Sequence, residues 1–151
     1  MIALRPANGA DTEFLFAVFA ATYGAQLALA AAGDSLARMQ FAAQDREYKT
    51  RFPAARHSIV SIDGEPAGRL LIAESDEEMR VVDVALLPRF QHRGAGTCLY
   101  SQIMSEAQAA GKPVRCSVAA GNEASLRFHR RLGFAIVDAG DMYLSLEWRP
   151  S

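Results

Sequence analysis

Cysteine is scarce in this sequence, with two residues in 151, Cys98 and Cys116. They are too few and too far apart for a zinc-ligand spacing, and no metal site or disulfide framework is expected. Cys98 falls on an apolar helical stretch and Cys116 inside a strand-like run. Both are therefore expected as buried free thiols, which fits a reducing cytoplasm. An excess of charge of either sign is also lacking, the formal net charge being −1. Nothing suggests a broad electrostatic footprint for nucleic acid or an anionic membrane, and any bound anion must be held by a local site. Repeats and low-complexity linkers are absent as well. The length suits one domain with a real core.

From Phe14 to Gly33 charge is missing altogether, over a length that could span a bilayer. The stretch is nonetheless rich in alanine, contains Gly24 and Gln26, and follows Asp11 and Glu13 rather than the basic flank of a signal peptide. Two helices packed on a sheet are expected here, with no membrane partner. The first is capped by Asp11 or Thr12 and carries Phe14, Leu15, Val18, Phe19 and Tyr23. The second starts at Asp34 or Ser35, runs to about Tyr48 and stops at Pro53.

Around these helices the hydrophobic period is that of strands. Ile2 to Arg5 forms a short first strand. His57 to Ile62 and Ala67 to Ala73 are joined across Asp63-Gly64-Glu65-Pro66, a hairpin signal. Met79 to Leu87 follows, then a helix from Gly94 to about Ala110 closed by Gly111. Val114 to Ala119 is a strand, Asn122 to Leu132 a helix stopped by Gly133, and Ala135 to Val137 and Met142 to Trp148 a closing hairpin. This order predicts an α/β sandwich with a mixed sheet.

The informative loop is Gln91-His92-Arg93-Gly94-Ala95-Gly96-Thr97, between a buried strand ending at Pro88 and a helix opening near Gly94. First-turn amides of a helix lack internal partners and sit at the positive end of its dipole. Gly94 and Gly96 let a diphosphate approach the backbone without an intervening Cβ, Arg93 adds charge at the rim, and Thr97 offers a hydroxyl. A helix start that needs only tight packing would look similar. No Gly-Lys-Ser/Thr follows, which excludes a P-loop, and the third glycine and early position of a dinucleotide fingerprint are missing.

Gln91-x-x-Gly94-x-Gly96 after Leu86-Leu87-Pro88 resembles the acetyl-coenzyme A motif of the GNAT acetyltransferase superfamily. The segment from Asn122 to Phe134, with Ser125, Phe128 and Leu132-Gly133-Phe134, is similar to that family's later helix. The resemblance covers roughly Ser58 to the C-terminus. It implies a mixed, mostly antiparallel sheet of about seven strands flanked by helices, with a bulged and splayed strand before the glycine loop. It further implies that backbone groups of Val84, Ala85 and Leu86 pair with the pantetheine arm, that the amides of His92 to Thr97 hold the diphosphate, and that Asn122, Ser125 and Phe128 approach the cofactor.

Direct attack of an amine on the thioester needs a base, an oxyanion donor and a proton for the leaving thiolate. The family often draws that proton from tyrosine in a Phe-Tyr pair, where this chain has Phe128-His129. His129 can donate a proton, since its ordinary pKa is about 6.5. A cofactor-packing histidine, unassisted departure, or Tyr23, Tyr48 or Tyr143 are the alternatives. Asp83 is the expected base, because a carboxylate inside Val81-Val82-Asp83-Val84-Ala85-Leu86-Leu87 is costly if buried alone. A plain ion pair with Arg69 or Arg80 would explain it too. The acidic run Glu74 to Glu78 reads as a solvated turn.

The resemblance places the amine acceptor, a small molecule or peptide, against the first helices and the final hairpin, with Phe41, Gln44, Tyr48, Arg51 and Tyr143 as lining. Phe14, Phe16 and Phe19 offer a homodimer contact as readily as core packing. Beside the acetyltransferase stand two other classes: a coenzyme-A-binding module that senses acyl-CoA without turnover, and a partner protein that keeps only the fold.

Overall fold

The computed structural model describes residues 1–23 and 34–151, so the second half of the charge-free stretch lies outside the described residues. The elements run β1 (Ile2–Pro6), α1 (Thr12–Tyr23), α2 (Asp34–Arg51), β2 (Arg56–Ile62), β3 (Glu65–Glu74), β4 (Met79–Leu86), α3 (Ala95–Ala110), β5 (Val114–Ala119), α4 (Glu123–Arg131), β6 (Ala135–Ala139) and β7 (Tyr143–Trp148). The strands form a seven-stranded sheet in the order β1-β2-β3-β4-β5-β7-β6. Pair β4–β5 is parallel, whereas β1–β2, β5–β7 and β6–β7 are antiparallel. This is the α/β fold the element order predicted. Among the described residues, no helix is long and apolar enough to cross a membrane.

Backbone contacts divide the chain into two compact units, the first holding Met1–Leu71 and Asp83–Arg93, the second Ile72–Val82 and Gly94–Ser151.

In the first unit, α1 is announced earlier than expected. A 3-10 turn, Gly9–Asp11, leads into it and is capped by Asn8, whose side chain accepts from the Ala10 amide at 2.8 Å while Asp11 accepts from the Asn8 amide at 2.9 Å. Arg5 forks onto Asp11 at 2.7 and 2.9 Å and, with the Asn8 amide, holds that carboxyl down at about 2. Behind this cap, Leu15, Phe16, Val18 and Phe19 face inward at helical spacing. Phe16 and Phe19 cluster with Ala37, and Phe41 of α2 meets both rings edge-on at 5.8 and 5.6 Å. Phe16 and Phe19 are thus core residues, not a free apolar face. The β2–β3 connection is tighter than its four-residue signal, because Asp63 and Gly64 both take positive φ, 51° and 83°. That pattern suits a two-residue turn matched to strand twist.

One glycine in this unit is fixed by contact rather than by φ. A Cβ on Gly68 would lie 2.0 Å from the Ala85 carbonyl oxygen, so β3 and β4 approach too closely there for any side chain.

In the second unit, α3 buries Ala95, Leu99, Tyr100, Ile103 and Ala107, a stripe with the helical period. Gly111 ends it in the left-handed region at φ 67°, where its amide reaches back to the last turn. Strand β5 alternates buried Val114, Cys116 and Val118 with more open neighbours, and Leu146 of β7 pairs with Cys116. Burial lifts the Cys116 thiol to about 11, which makes it inert, whereas Cys98 is exposed, contrary to the expectation for it. The acidic run is also not simply solvated. Glu74 pairs with Lys112 at 2.8 Å, and Glu78 takes Arg80 at 3.0 Å and Arg115 at 3.1 Å. Strand β4 pairs with β5 at Met79–Val114 and Arg80–Arg115. A short registered stretch of this kind fits the splayed sheet.

Candidate active site

The first unit closes on the strand end and loop that precede Gly94. Two backbone groups expected to await pantetheine have local partners. Gln91 donates from Nε2 to the Leu86 carbonyl at 2.9 Å, so this side chain braces the strand end. The Val84 amide supports the Asp83 carboxylate. Ala85 is buried, with its carbonyl turned over Gly68. A 3-10 turn, Pro88–Phe90, then leads to exposed His92, which takes a left-handed φ of 60°. That conformation is uncommon for a residue with a Cβ.

The second unit opens with Gly94 at φ 81° as the N-cap of α3, without a side-chain cap. The first helical bond runs from the Cys98 amide to the Gly94 carbonyl at 3.1 Å. The amides of Ala95, Gly96 and Thr97 therefore have no partner within the helix, as at any helix start. The two glycines do different jobs. Gly94 supplies its φ, and a Cβ there would meet open space. At Gly96 an added Cβ would come 3.3 Å from the Phe128 ring, so packing of α3 on α4 also asks for glycine.

On α4 the structure assigns roles that the sequence did not. Asn122 caps the helix, its Oδ1 accepting from the Ser125 amide at 3.1 Å. His129 is buried at 6 % exposure. Its Nδ1 lies 2.8 Å from the Ser125 carbonyl, which only accepts, so that nitrogen carries the proton. Nε2 then accepts from the Tyr100 hydroxyl at 2.9 Å. Burial lowers the His129 pKa, keeping the ring neutral. Tyr100, Phe128 and Phe134 surround it edge-on, with ring centroids 5.1–5.3 Å from the imidazole. The reading of His129 as the proton donor does not fit this geometry, because both ring nitrogens are engaged inside the core.

Asp83 does meet the expectation of a perturbed buried carboxylate. Its side chain is 9 % exposed, and Oδ2 lies 3.6 Å from Arg69 Nε. Burial pushes its pKa up, and Arg69 and the Val84 amide pull it partly back. The partner is Arg69 and not Arg80, which pairs with Glu78. Tyr48 of α2 lies over the Arg69 guanidinium at 5.6 Å, and burial followed by Asp83 raises its pKa. Phe41 belongs to the α1–α2 aromatic cluster, where it is partly buried. Gln44 is half-buried on α2, and Tyr143 stands exposed on β7. Among the described residues no group of His, Cys, Asp and Glu is arranged to hold a metal ion.

Three residues escaped the sequence reading. Arg69 was signalled by a charge inside the apolar run Ala67-Gly68-Arg69-Leu70-Leu71-Ile72, yet entered only as a partner for Asp83. Tyr100 hid among apolar helix positions. His57, with a buried Nε2 that has no hydrogen-bond partner, looked like an ordinary strand start.

Residues 26–134 match the sequence model of the acetyltransferase (GNAT) family. No curated protein sequence matches the chain. Among solved structures the chain is similar to the PaiA N-acetyltransferase of Thermoplasma acidophilum in complex with coenzyme A, at 16% identity and TM-score 0.73 over 99% of both chains. An acetyltransferase from Thermus thermophilus gives 20% identity and TM-score 0.75 over 99% of this chain and 97% of that one. A GNAT family acetyltransferase from Elizabethkingia anophelis with acetyl-CoA bound gives 13% and 0.66, over 98% and 97%. At these identities the likeness concerns the fold.

Proposed function

The chain belongs to the acetyltransferase (GNAT) family, and from that premise we propose that it moves the acetyl group of acetyl-coenzyme A to a primary amine of a small molecule or peptide. The observation that carries this reading is the start of α3, with free first-turn amides at Ala95, Gly96 and Thr97 behind the left-handed Gly94. Amides and helix dipole there favour a diphosphate, with Arg93 adding charge. Pantetheine would take over the Val84 amide and the Leu86 carbonyl, displacing the local partners of each.

In the reaction Asp83 accepts a proton from the ammonium, and the freed nitrogen lone pair attacks the thioester carbon. The C–S bond then breaks, and the second proton leaves the nitrogen to reach the departing thiolate through solvent. Asp83 suits the first step because burial raises its proton affinity towards that of a working base. A second reading, acyl-CoA binding with little turnover, draws on the core position of His129. It predicts tight acetyl-CoA binding without thiol release across a broad amine panel.

The cradle is tested with Gly94→Asp and Gly94→Asn, since both side chains tolerate the left-handed region. Titration calorimetry should show acetyl-CoA affinity falling at least about tenfold for Gly94→Asp, whose carboxylate repels the diphosphate, and much less for Gly94→Asn. Unchanged affinity in Gly94→Asp would remove the cradle from the reading.

A further inference from the structure

The acyl-transfer chemistry uses one member of a larger group of buried and half-buried residues. His57 on β2, Arg69 on β3 and Asp83 on β4 come from strands adjacent in the sheet, and Tyr48 of α2 covers Arg69. All four lie in the first unit. The group is incompletely satisfied. Arg69 is 4 % exposed, yet its Nε–H has no acceptor, because the 3.6 Å to Asp83 exceeds a hydrogen bond. His57 Nε2 is likewise buried without a partner. Burial and then Arg69 hold the His57 pKa at about 4, Asp45 and Asp11 drawing it up and Lys49 down, so the ring is neutral near pH 7. Two buried nitrogens without partners, of which His57 Nε2 donates when the neutral ring carries its proton there, are rare beside a loosely held carboxylate in a finished core. They fit a site completed by a ligand.

Charge decides the class of ligand. Arg69 and Asp83 cancel, and His57 adds nothing. A simple ammonium placed here would leave a net positive charge out of water, and a simple anion a net negative one, both costly. A molecule carrying both charges leaves the balance unchanged. We propose that the acceptor is a zwitterion of amino-acid type, its carboxylate bound by Arg69 Nε–H and His57 Nε2–H and its ammonium by Asp83.

This rests on the transferase reading and specifies its substrate. The ligand parts the loose Arg69–Asp83 pair, each half finding a partner of opposite sign, and the Tyr48 ring covers the exchange. Asp83 then removes one ammonium proton and passes it to solvent, the nitrogen attacks the thioester carbon, the C–S bond breaks, and the second nitrogen proton reaches the departing thiolate through solvent. Polyamines and peptide N-termini, which lack a carboxylate beside the amine, are poor acceptors on this account.

The experiment compares matched acceptors: alanine with ethylamine, phenylalanine with phenethylamine, and each amino acid with its carboxamide. Thiol release is followed with acetyl-CoA. Binding is followed separately by calorimetry with coenzyme A present, where no chemistry occurs. For the wild type, kcat/KM should favour the amino acid at least about thirtyfold within each pair, and binding should follow the same order. Arg69→Gln should erase the preference and Arg69→Lys restore part of it, with acetyl-CoA affinity reporting that both variants are folded. Equal turnover of amino acid and amine overturns the inference and leaves the transferase intact. Selective amino-acid binding without any acetylation supports the recognition site and removes the transfer reaction. Neither binding nor acetylation of any member overturns both.

Discussion

Replacing His129 with phenylalanine separates a structural role from a catalytic one. The ring is held at both nitrogens, Nδ1 by the Ser125 carbonyl at 2.8 Å and Nε2 by the Tyr100 hydroxyl at 2.9 Å. Phenylalanine keeps the aromatic packing against Tyr100, Phe128 and Phe134 but removes the nitrogen that accepts from the hydroxyl of Tyr100, a residue only 2 % exposed that also bonds the Cys116 thiol. Losing one buried hydrogen bond costs about 0.5–1.5 kcal/mol. For a chain of this length that corresponds to a fall in Tm of roughly 1–6 °C. Were the imidazole the acid for the leaving thiolate, its loss would instead slow turnover by about 10²–10⁴-fold. The assay is thermal unfolding beside thiol-release kinetics, run well below both midpoints with the best amine found. A lowered Tm with kcat within about threefold of wild type is the expected result. An unmoved Tm with a hundredfold loss of kcat would refute the reasoning.

Two further outcomes follow from buried geometry elsewhere. Gly68→Ala forces a methyl to within 2.0 Å of the Ala85 carbonyl oxygen, and since backbone must move, a loss of about 2–3 kcal/mol is expected. Urea unfolding with an unshifted midpoint would show that β3 and β4 part more easily than their contact implies. His57 has a folded pKa of about 4 against an ordinary 6.5, so the unfolded chain binds more protons between those values. Its contribution to stability is complete above about 6.5 and is lost as pH falls from there towards about 4. His57→Gln should flatten that acid limb in urea midpoints measured from pH 7.5 down to 4.5, and an identical slope in the variant would assign the limb to other groups.

The fold was legible because its signals are local. Alternation in Val114 to Ala119, the helical stripe of Leu99, Tyr100, Ile103 and Ala107, and the stops at Gly111 and Gly133 each act within a few residues. The Asp63-Gly64 turn was equally local, and the strands on either side simply ran closer to it. Where the reading slipped, the deciding partner was distant or mutual. The capped 3-10 turn before α1 went unread because its capping box at Asn8 and Asp11 is tied to Arg5 of β1. Cys98 looked buried from its apolar neighbours, yet it occupies the open side of the first turn of α3.

The site shows the same division more sharply. A positive φ at Gly94 and free amides after it are properties of one loop, and the sequence contains them. The state of an ionisable side chain depends on what a distant strand or helix brings against it. His129 looked like a replacement for a tyrosine acid because sequence aligns it with that role. Tyr100, one helix away, converts it into a core acceptor. Asp83 looked ambiguous between base and plain ion pair, and it has features of both, since Arg69 lies close enough to lower its pKa but too far to satisfy it. That intermediate distance joins the two roles. A carboxylate fully bonded to arginine would be too weak a base to take a proton from an ammonium, and one buried alone would hold its proton and offer no charge to attract it. At 3.6 Å from an arginine whose own Nε–H has no acceptor, Asp83 remains ionisable and its partner remains able to accept a second carboxylate.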